Sequence, residues 1–152
     1  MKKYPLVILA LLGGAMISHA NLWTENFDEA LAQAKESGKY ALVNFAGSDW
    51  CGWCMKLDKE VFGKKEFKDF AKSNLVCVLV DFPRRNPQSK KQKEANQTLR
   101  KKYAIQGFPT VLLLSPEGDL VAQTGYQPGG AEAYVKHLQG LIDQHKSKQP
   151  KP

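Results

Sequence analysis

The sequence predicts an α/β fold, a central mixed sheet of about four strands covered by helices on both faces. Two short runs, Tyr40 to Phe45 and Leu75 to Val80, are nearly all apolar, the composition of strands buried on both faces. Helical periodicity separates them, which makes them a parallel pair joined by a right-handed crossover. A second pair of runs, Val111 to Leu114 and Leu120 to Gln123, flanks the turn Ser115-Pro116-Glu117-Gly118-Asp119 and reads as an antiparallel hairpin.

The 152 residues suffice for one domain with a hydrophobic core and are too few for two ordinary ones. Lys2 and Lys3 precede an apolar run from Leu6 to Ile17, and Ser18-His19-Ala20 offers small residues at a cleavage site. This pattern predicts a secretory signal peptide over residues 1–20, cut after Ala20, and hence an exported, periplasmic protein. The apolar run is short of the roughly 20 residues that span a bilayer. The folded domain is then expected over residues 21–146, with a flexible tail from 147 to 152.

The net charge of +7 includes Lys2 and Lys3, and removing them leaves 20 basic against 15 acidic residues. The excess gathers in Arg84, Arg85, Lys90, Lys91, Lys93, Arg100, Lys101 and Lys102, interrupted by Glu94. Such a patch binds nucleic acid, an anionic surface or an acidic partner, or is simply a solvated face. The solvated face is the expectation here, and export argues against nucleic acid.

In chain order, Asn26 to Lys39 is an amphipathic helix with Phe27, Ala30, Leu31 and Ala34 on one stripe. Asn26 and Glu29 have capping-box spacing, and Gly38 is its stop signal. After the first strand a helix begins at about Cys51 and carries Met55, Leu57 and Val61, with a kink or break at Phe62-Gly63. Lys64 to Ser73 resumes the helical pattern through Phe67, Phe70 and Ala71 ahead of the second strand. Asp81 to Ser89, with two prolines and two arginines, is a loop. A polar, basic helix follows from about Lys90 to Tyr103, and after the hairpin the last helix runs from about Ala131 to Gln144.

The chemistry-bearing stretch is Trp50-Cys51-Gly52-Trp53-Cys54, at the turn from strand to helix. Two cysteines at this spacing cycle between dithiol and disulfide within one turn. The unpaired N–H groups and positive dipole end of the helix favour a thiolate, so Cys51 is the expected nucleophile. At such sites the thiol pKa falls from about 8.5 to roughly 3.5–7.5. Cys54, one turn further in, is the expected resolving thiol. A structural zinc site is the rival reading, but it needs four ligands; the only other cysteine is Cys77, and His137 and His145 lie in or near the last helix without paired spacing. Cys77 sits among apolar neighbours and reads as an inert core residue.

With this motif and Gly107-Phe108-Pro109-Thr110 ahead of an apolar run, the chain resembles the thioredoxin superfamily over nearly all of its mature length. Gly47-Ser48-Asp49-Trp50-Cys51, Val80-Asp81-Phe82-Pro83 and Gly125-Tyr126-Gln127-Pro128-Gly129-Gly130 are similar to the exported thioredoxin-like disulfide reductases of the chlamydial DsbH type. The resemblance implies that Pro109 is a cis-proline facing the disulfide and that Phe108 offers backbone hydrogen bonds to an extended substrate. It also implies that Trp50 is the aromatic residue before the first cysteine, and that Gly52 and Trp53 face substrate and help set the redox potential. The function it implies is thiol-disulfide exchange, in the reductive direction, with no cofactor beyond the Cys51–Cys54 disulfide. Its partners would be protein thiols or disulfides and a membrane or periplasmic electron donor, and the protein would be a monomer. An isomerase or oxidase, or a binding or chaperone module without turnover, would use the same fold.

Four further residues bear on the site. Asn44 falls where the family's cytosolic members carry a buried aspartate, so Cys54 would need another proton acceptor such as water. Asp49 and Lys56 are close enough in sequence to shift Cys51 in opposite senses, but read as solvated surface charges. Tyr126 is either a groove residue or ordinary packing.

Overall fold

A computed structural model describes residues 21–150, so the signal-peptide reading of residues 1–20 lies outside the described residues. Five strands and five α-helices follow in the order β1 (Trp23–Thr24), α1 (Phe27–Ser37), β2 (Tyr40–Ala46), α2 (Gly52–Leu57), α3 (Lys65–Asn74), β3 (Leu75–Asp81), α4 (Lys90–Lys102), β4 (Thr110–Leu114), β5 (Leu120–Thr124) and α5 (Gly130–Lys148). The sheet order is β1-β3-β2-β4-β5. β2 and β3 run parallel with Tyr40 opposite Leu75, and β4 joins β2 antiparallel with Val43 opposite Leu112. The expected crossover pair and hairpin are thus both present, and the two-residue β1 adds an edge strand beside β3.

Strand alternation divides the core into two layers. On one face Tyr40, Leu42, Leu75, Cys77, Val111 and Leu113 pack with Leu57, Val61, Phe67, Tyr134 and Leu138 from the helices. On the other, Ala41, Val43, Phe45, Val76, Val78 and Leu112 pack with Phe27, Ala30 and Ala34 of α1, and Leu99 and Tyr103 lie against them. β2 therefore lies between two apolar layers and is buried along its whole length.

Local signals set the helix ends. The Asn26 side chain accepts the Glu29 N–H at 3.2 Å and donates to the Glu29 carboxylate at 3.0 Å, while Gly38 closes α1 at φ +68°. The break anticipated at Phe62-Gly63 has a specific form. After α2 the chain widens into a π-helical turn over Asp58–Phe62, and Lys64 returns to extended backbone before α3. This widening turns Val61 and Phe62 into the core beside Trp23 and Phe67. At the other end α5 continues to Lys148, four residues past the expected stop. Nothing between Gln144 and Lys148 is a glycine or proline, so the helix has no local reason to end there.

Candidate active site

Cys51 caps α2 from the extended region, at φ −85° and ψ 106°, and Gly52 opens the helix. Cys51 and Cys54 are joined in a disulfide with their Cα atoms 5.2 Å apart. The backbone N–H of Cys54 points at Cys51 Sγ, 3.2 Å away. When the bond is reduced, that N–H and the helix N-terminus both face the Cys51 sulfur and favour its thiolate. Each cysteine is only 7% exposed, while Trp53 between them is 57% exposed. Met55, grouped with Leu57 and Val61 by the sequence pattern, also stays outside the core at 45%.

Aromatic side chains pack beside the cysteine pair. Trp50 and Phe108 pack against a cluster of Ala46, Cys51 and Cys54. Phe108 meets Trp50 edge-on at 5.9 Å and Phe82 at 5.1 Å. The Phe108-Pro109 peptide bond is cis. Trp53, exposed between the two cysteines in sequence, packs against Tyr126 at 5.1 Å, and Lys56 Nζ lies 4.9 Å from the first ring and 5.1 Å from the second. Tyr126 donates its hydroxyl to Glu60 at 2.5 Å, and that carboxylate pushes the phenol pKa up. Tyr126 is thus held by Trp53 and Glu60, and Lys56 is laid over both aromatic rings rather than merely solvated. Of the residues expected at the site, Trp50 and Phe108 pack against the cluster that holds both cysteines, and Gly52 and Trp53 are the exposed pair between them in sequence.

The loop that presents Cys51 is tied down by a second loop, a feature sequence reading missed. Asp81, at the end of β3, accepts the Ser48 N–H at 2.9 Å, the Ser48 hydroxyl at 2.5 Å and the Phe82 N–H at 3.0 Å. Trp50 donates its indole N–H to the Phe82 carbonyl at 2.7 Å. The Trp50 ring lies so close to Gly47 that a Cβ there would overlap it. Asp49, expected to be a solvated charge, accepts the backbone N–H groups of Arg84, Arg85 and Asn86 at 2.9, 2.7 and 2.8 Å. Pairing across 35 residues leaves no local signal; the only hint was an acidic residue beside the motif and an unusually basic, proline-rich loop.

Those donors, the Arg84 N–H foremost, hold the Asp49 carboxyl below its ordinary value of 3.8. A carboxyl with a depressed folded pKa contributes stability above its unfolded value and loses it as pH falls through the folded one. The 84–86 amides are therefore expected to stay protected from hydrogen exchange down to pH 3.8 and to lose protection only below it. Asp49→Asn, which carries no charge, should lower their protection above pH 3.8 and make little difference once the wild-type carboxyl is protonated.

Two polar or reactive groups lie deeper. Asn44 is buried on the face of β2 that carries Ala46, and its Oδ1 has no hydrogen-bond partner among the described residues. It carries no titratable group that would take a proton from Cys54. Cys77 is buried at 1% exposure, and burial pushes its thiol pKa up to about 12. The oxidised, folded protein is expected to show no thiol reactive to a thiol reagent at pH 8 and one after unfolding. Fast labelling of native Cys77 would contradict this placement.

His137 bonds to Thr124 at 3.0 Å and His145 to Tyr40 at 2.8 Å, both on α5. Neither is brought to the cysteine pair, and no group of three or more metal-ligating side chains occurs among the described residues.

Comparison with known proteins agrees with this geometry. Residues 27–139 match the family model described as a thioredoxin-like domain. The disulfide bond reductase DsbH of Chlamydia pneumoniae is 40% identical over 126 residues, which cover 83% of this chain and 76% of that protein. The thioredoxin-related protein DsbJ of the same organism is 33% identical over 82% of this chain, which spans only 38% of DsbJ. Among solved structures, a DsbH oxidoreductase superimposes with a TM-score of 0.76 at 38% identity, covering 88% of this chain and 92% of the other.

Proposed function

The chain belongs to the thioredoxin-like family, and from that premise we propose that it is an exported thiol-disulfide oxidoreductase working in the reductive direction. Thiol-disulfide exchange is the chemistry this chain and its relatives share. The observation that carries it is the Cys51–Cys54 disulfide at a helix start, with the Cys54 N–H aimed at Cys51 Sγ.

In the reductive half-reaction the Cys51 thiolate attacks one sulfur of a substrate disulfide. A Cys51–substrate bond forms, the substrate S–S bond breaks, and the first substrate thiol leaves with a proton from solvent. Cys54, after losing its proton, attacks Cys51 Sγ, the intramolecular disulfide closes, and the second substrate thiol departs. Two electrons have passed from the protein dithiol to the substrate. Asn44 is neutral, so water is the acceptor assigned to the Cys54 proton.

Phe108 and Pro109 line one wall of the groove and Trp53 the other, and a polypeptide laid between them would place its disulfide over Cys51. Substrates are protein or peptide disulfides, and a membrane or periplasmic electron donor must restore the dithiol. Lys2, Lys3 and the apolar run to Ile17 support export. The protein is assigned as a monomer, and the redox group is the disulfide itself.

Mixing the reduced protein with a peptide disulfide, no other reductant being present, tests the reading. One equivalent of substrate should open while the protein ends with Cys51 joined to Cys54. A module that binds without turnover would leave both partners unchanged.

A further inference from the structure

The aromatic side chains beside the disulfide carry cations that the exchange chemistry does not use. Arg84 lays its guanidinium 3.9 Å from the centre of the Trp50 ring, beside Cys51 in sequence. Arg100, reaching in from α4, lies 5.3 Å from Phe108 and 5.7 Å from Phe82. Trp50 and Phe108 both pack against the cluster containing Cys51 and Cys54, so the two guanidinium groups flank one wall of the groove.

Among the described residues neither forms an ion pair with a carboxylate. The ion pairs among the described residues join Lys56 to Glu60, Lys65 to Asp69, and Lys90 to Glu94. Two carboxylates stand nearby, and both are engaged elsewhere. Asp81 is committed to Ser48 and Phe82, and Asp49 to three backbone N–H groups, with Arg85 as the side chain whose charge bears on it. Arg100 spends one N–H on the Ile105 carbonyl, at 3.4 Å, and its remaining donors are free of acidic side chains.

A guanidinium resting on a ring keeps its charge and its in-plane donors while losing rotamer freedom before any partner arrives. Two such groups beside a reactive disulfide suit bidentate pairing with carboxylates. We propose that the Trp50-Phe82-Phe108 wall, with Arg84 and Arg100 over its rings, is a docking surface for acidic polypeptide. The preferred substrates are disulfides flanked by aspartate or glutamate. This rests on the reductive reading above and specifies its substrate class. It also divides the basic patch, which sequence reading assigned to a solvated face: Arg84 and Arg100 belong to the groove.

The test uses two peptides that differ only in having glutamates or lysines flanking one internal disulfide. The rate at which reduced wild-type protein opens each is compared with the rates for Arg84→Gln/Arg100→Gln and for Arg84→Lys/Arg100→Lys. Comparing variants on the same two peptides cancels the peptides' intrinsic reactivities. The Gln variant should reduce the glutamate-to-lysine rate ratio by about tenfold at low salt, a size ordinary for electrostatic steering. The Lys variant, which keeps the charge but loses the planar fork and its stacking, should fall between wild type and the Gln variant. Should the Gln variant misfold, wild type still decides the matter, because its preference for the glutamate peptide should shrink toward parity at 1 M salt, where the screening length is about 3 Å. A preference unchanged by both the Gln variant and salt would overturn the docking surface while leaving the reductive reading intact. Failure to open either peptide would overturn both.

Discussion

Cys51→Ser is expected to abolish disulfide reduction, and Cys54→Ser to stop it at a covalent intermediate. The two losses differ in kind because the sulfurs occupy different positions. Cys51 sits at the helix cap, with the Cys54 N–H 3.2 Å from its sulfur, so it is the sulfur expected to form the first bond to substrate. Without it, no mixed disulfide forms. With Cys51 intact and Cys54 replaced, attack proceeds but nothing displaces the substrate, and protein and peptide stay joined. Mass spectrometry of each variant after incubation with a peptide disulfide separates the outcomes. A persistent adduct on Cys51→Ser, with none on Cys54→Ser, would reverse the assigned roles. Cys77 offers no substitute nucleophile, because its thiol is buried and its pKa is pushed up to about 12.

Asp81→Ala is expected to cause a large loss of stability. It removes a buried carboxylate that accepts two hydrogen bonds from Ser48 and one from the Phe82 N–H. Hydrogen bonds to charged groups contribute about 1.5–3 kcal/mol each, and losses at one acceptor overlap, so the expected cost is about 3 kcal/mol. That corresponds to roughly 10 °C in Tm for a domain of this size. Disulfide exchange should slow as well, since Ser48 leads directly into Asp49, Trp50 and Cys51. Asp81→Asn, which keeps one acceptor oxygen, should fall between the two. Thermal unfolding and peptide reduction on the same samples check both effects, and an unchanged Tm for Asp81→Ala would contradict the clamp.

The contrast between these two sites explains what was legible in the sequence. Cys51 and Cys54 announce themselves because their chemistry depends on a spacing of three residues at a helix start, a local relation. The buried strands were equally plain, since Tyr40 to Phe45 and Leu75 to Val80 are each too apolar to lie anywhere but between two packed layers. Asp81 and Asp49 act through partners 33 to 37 residues away. No periodicity or motif encodes such a pairing, and Asp49 read as an ordinary surface charge. Strand β1 was missed because two residues cannot display an alternating pattern. Met55 fitted the apolar stripe of its helix, yet the buried positions of that helix are Cys54 and Leu57, and Met55 lies to one side of them. Arg84 and Arg100 were visible only as members of a basic run, and their separation from Lys90, Lys91 and Lys93 required the positions of Trp50 and Phe108.

The central claim, that the Cys51–Cys54 pair reduces substrate disulfides, is tested most directly by its equilibrium reduction potential against a dithiothreitol or glutathione buffer. The account predicts a value near that of thioredoxin, about −270 mV, at which the dithiol gives up its electrons readily. A value near about −120 mV, that of a strong periplasmic oxidant, would contradict the reductive direction and make the same site an oxidase or isomerase.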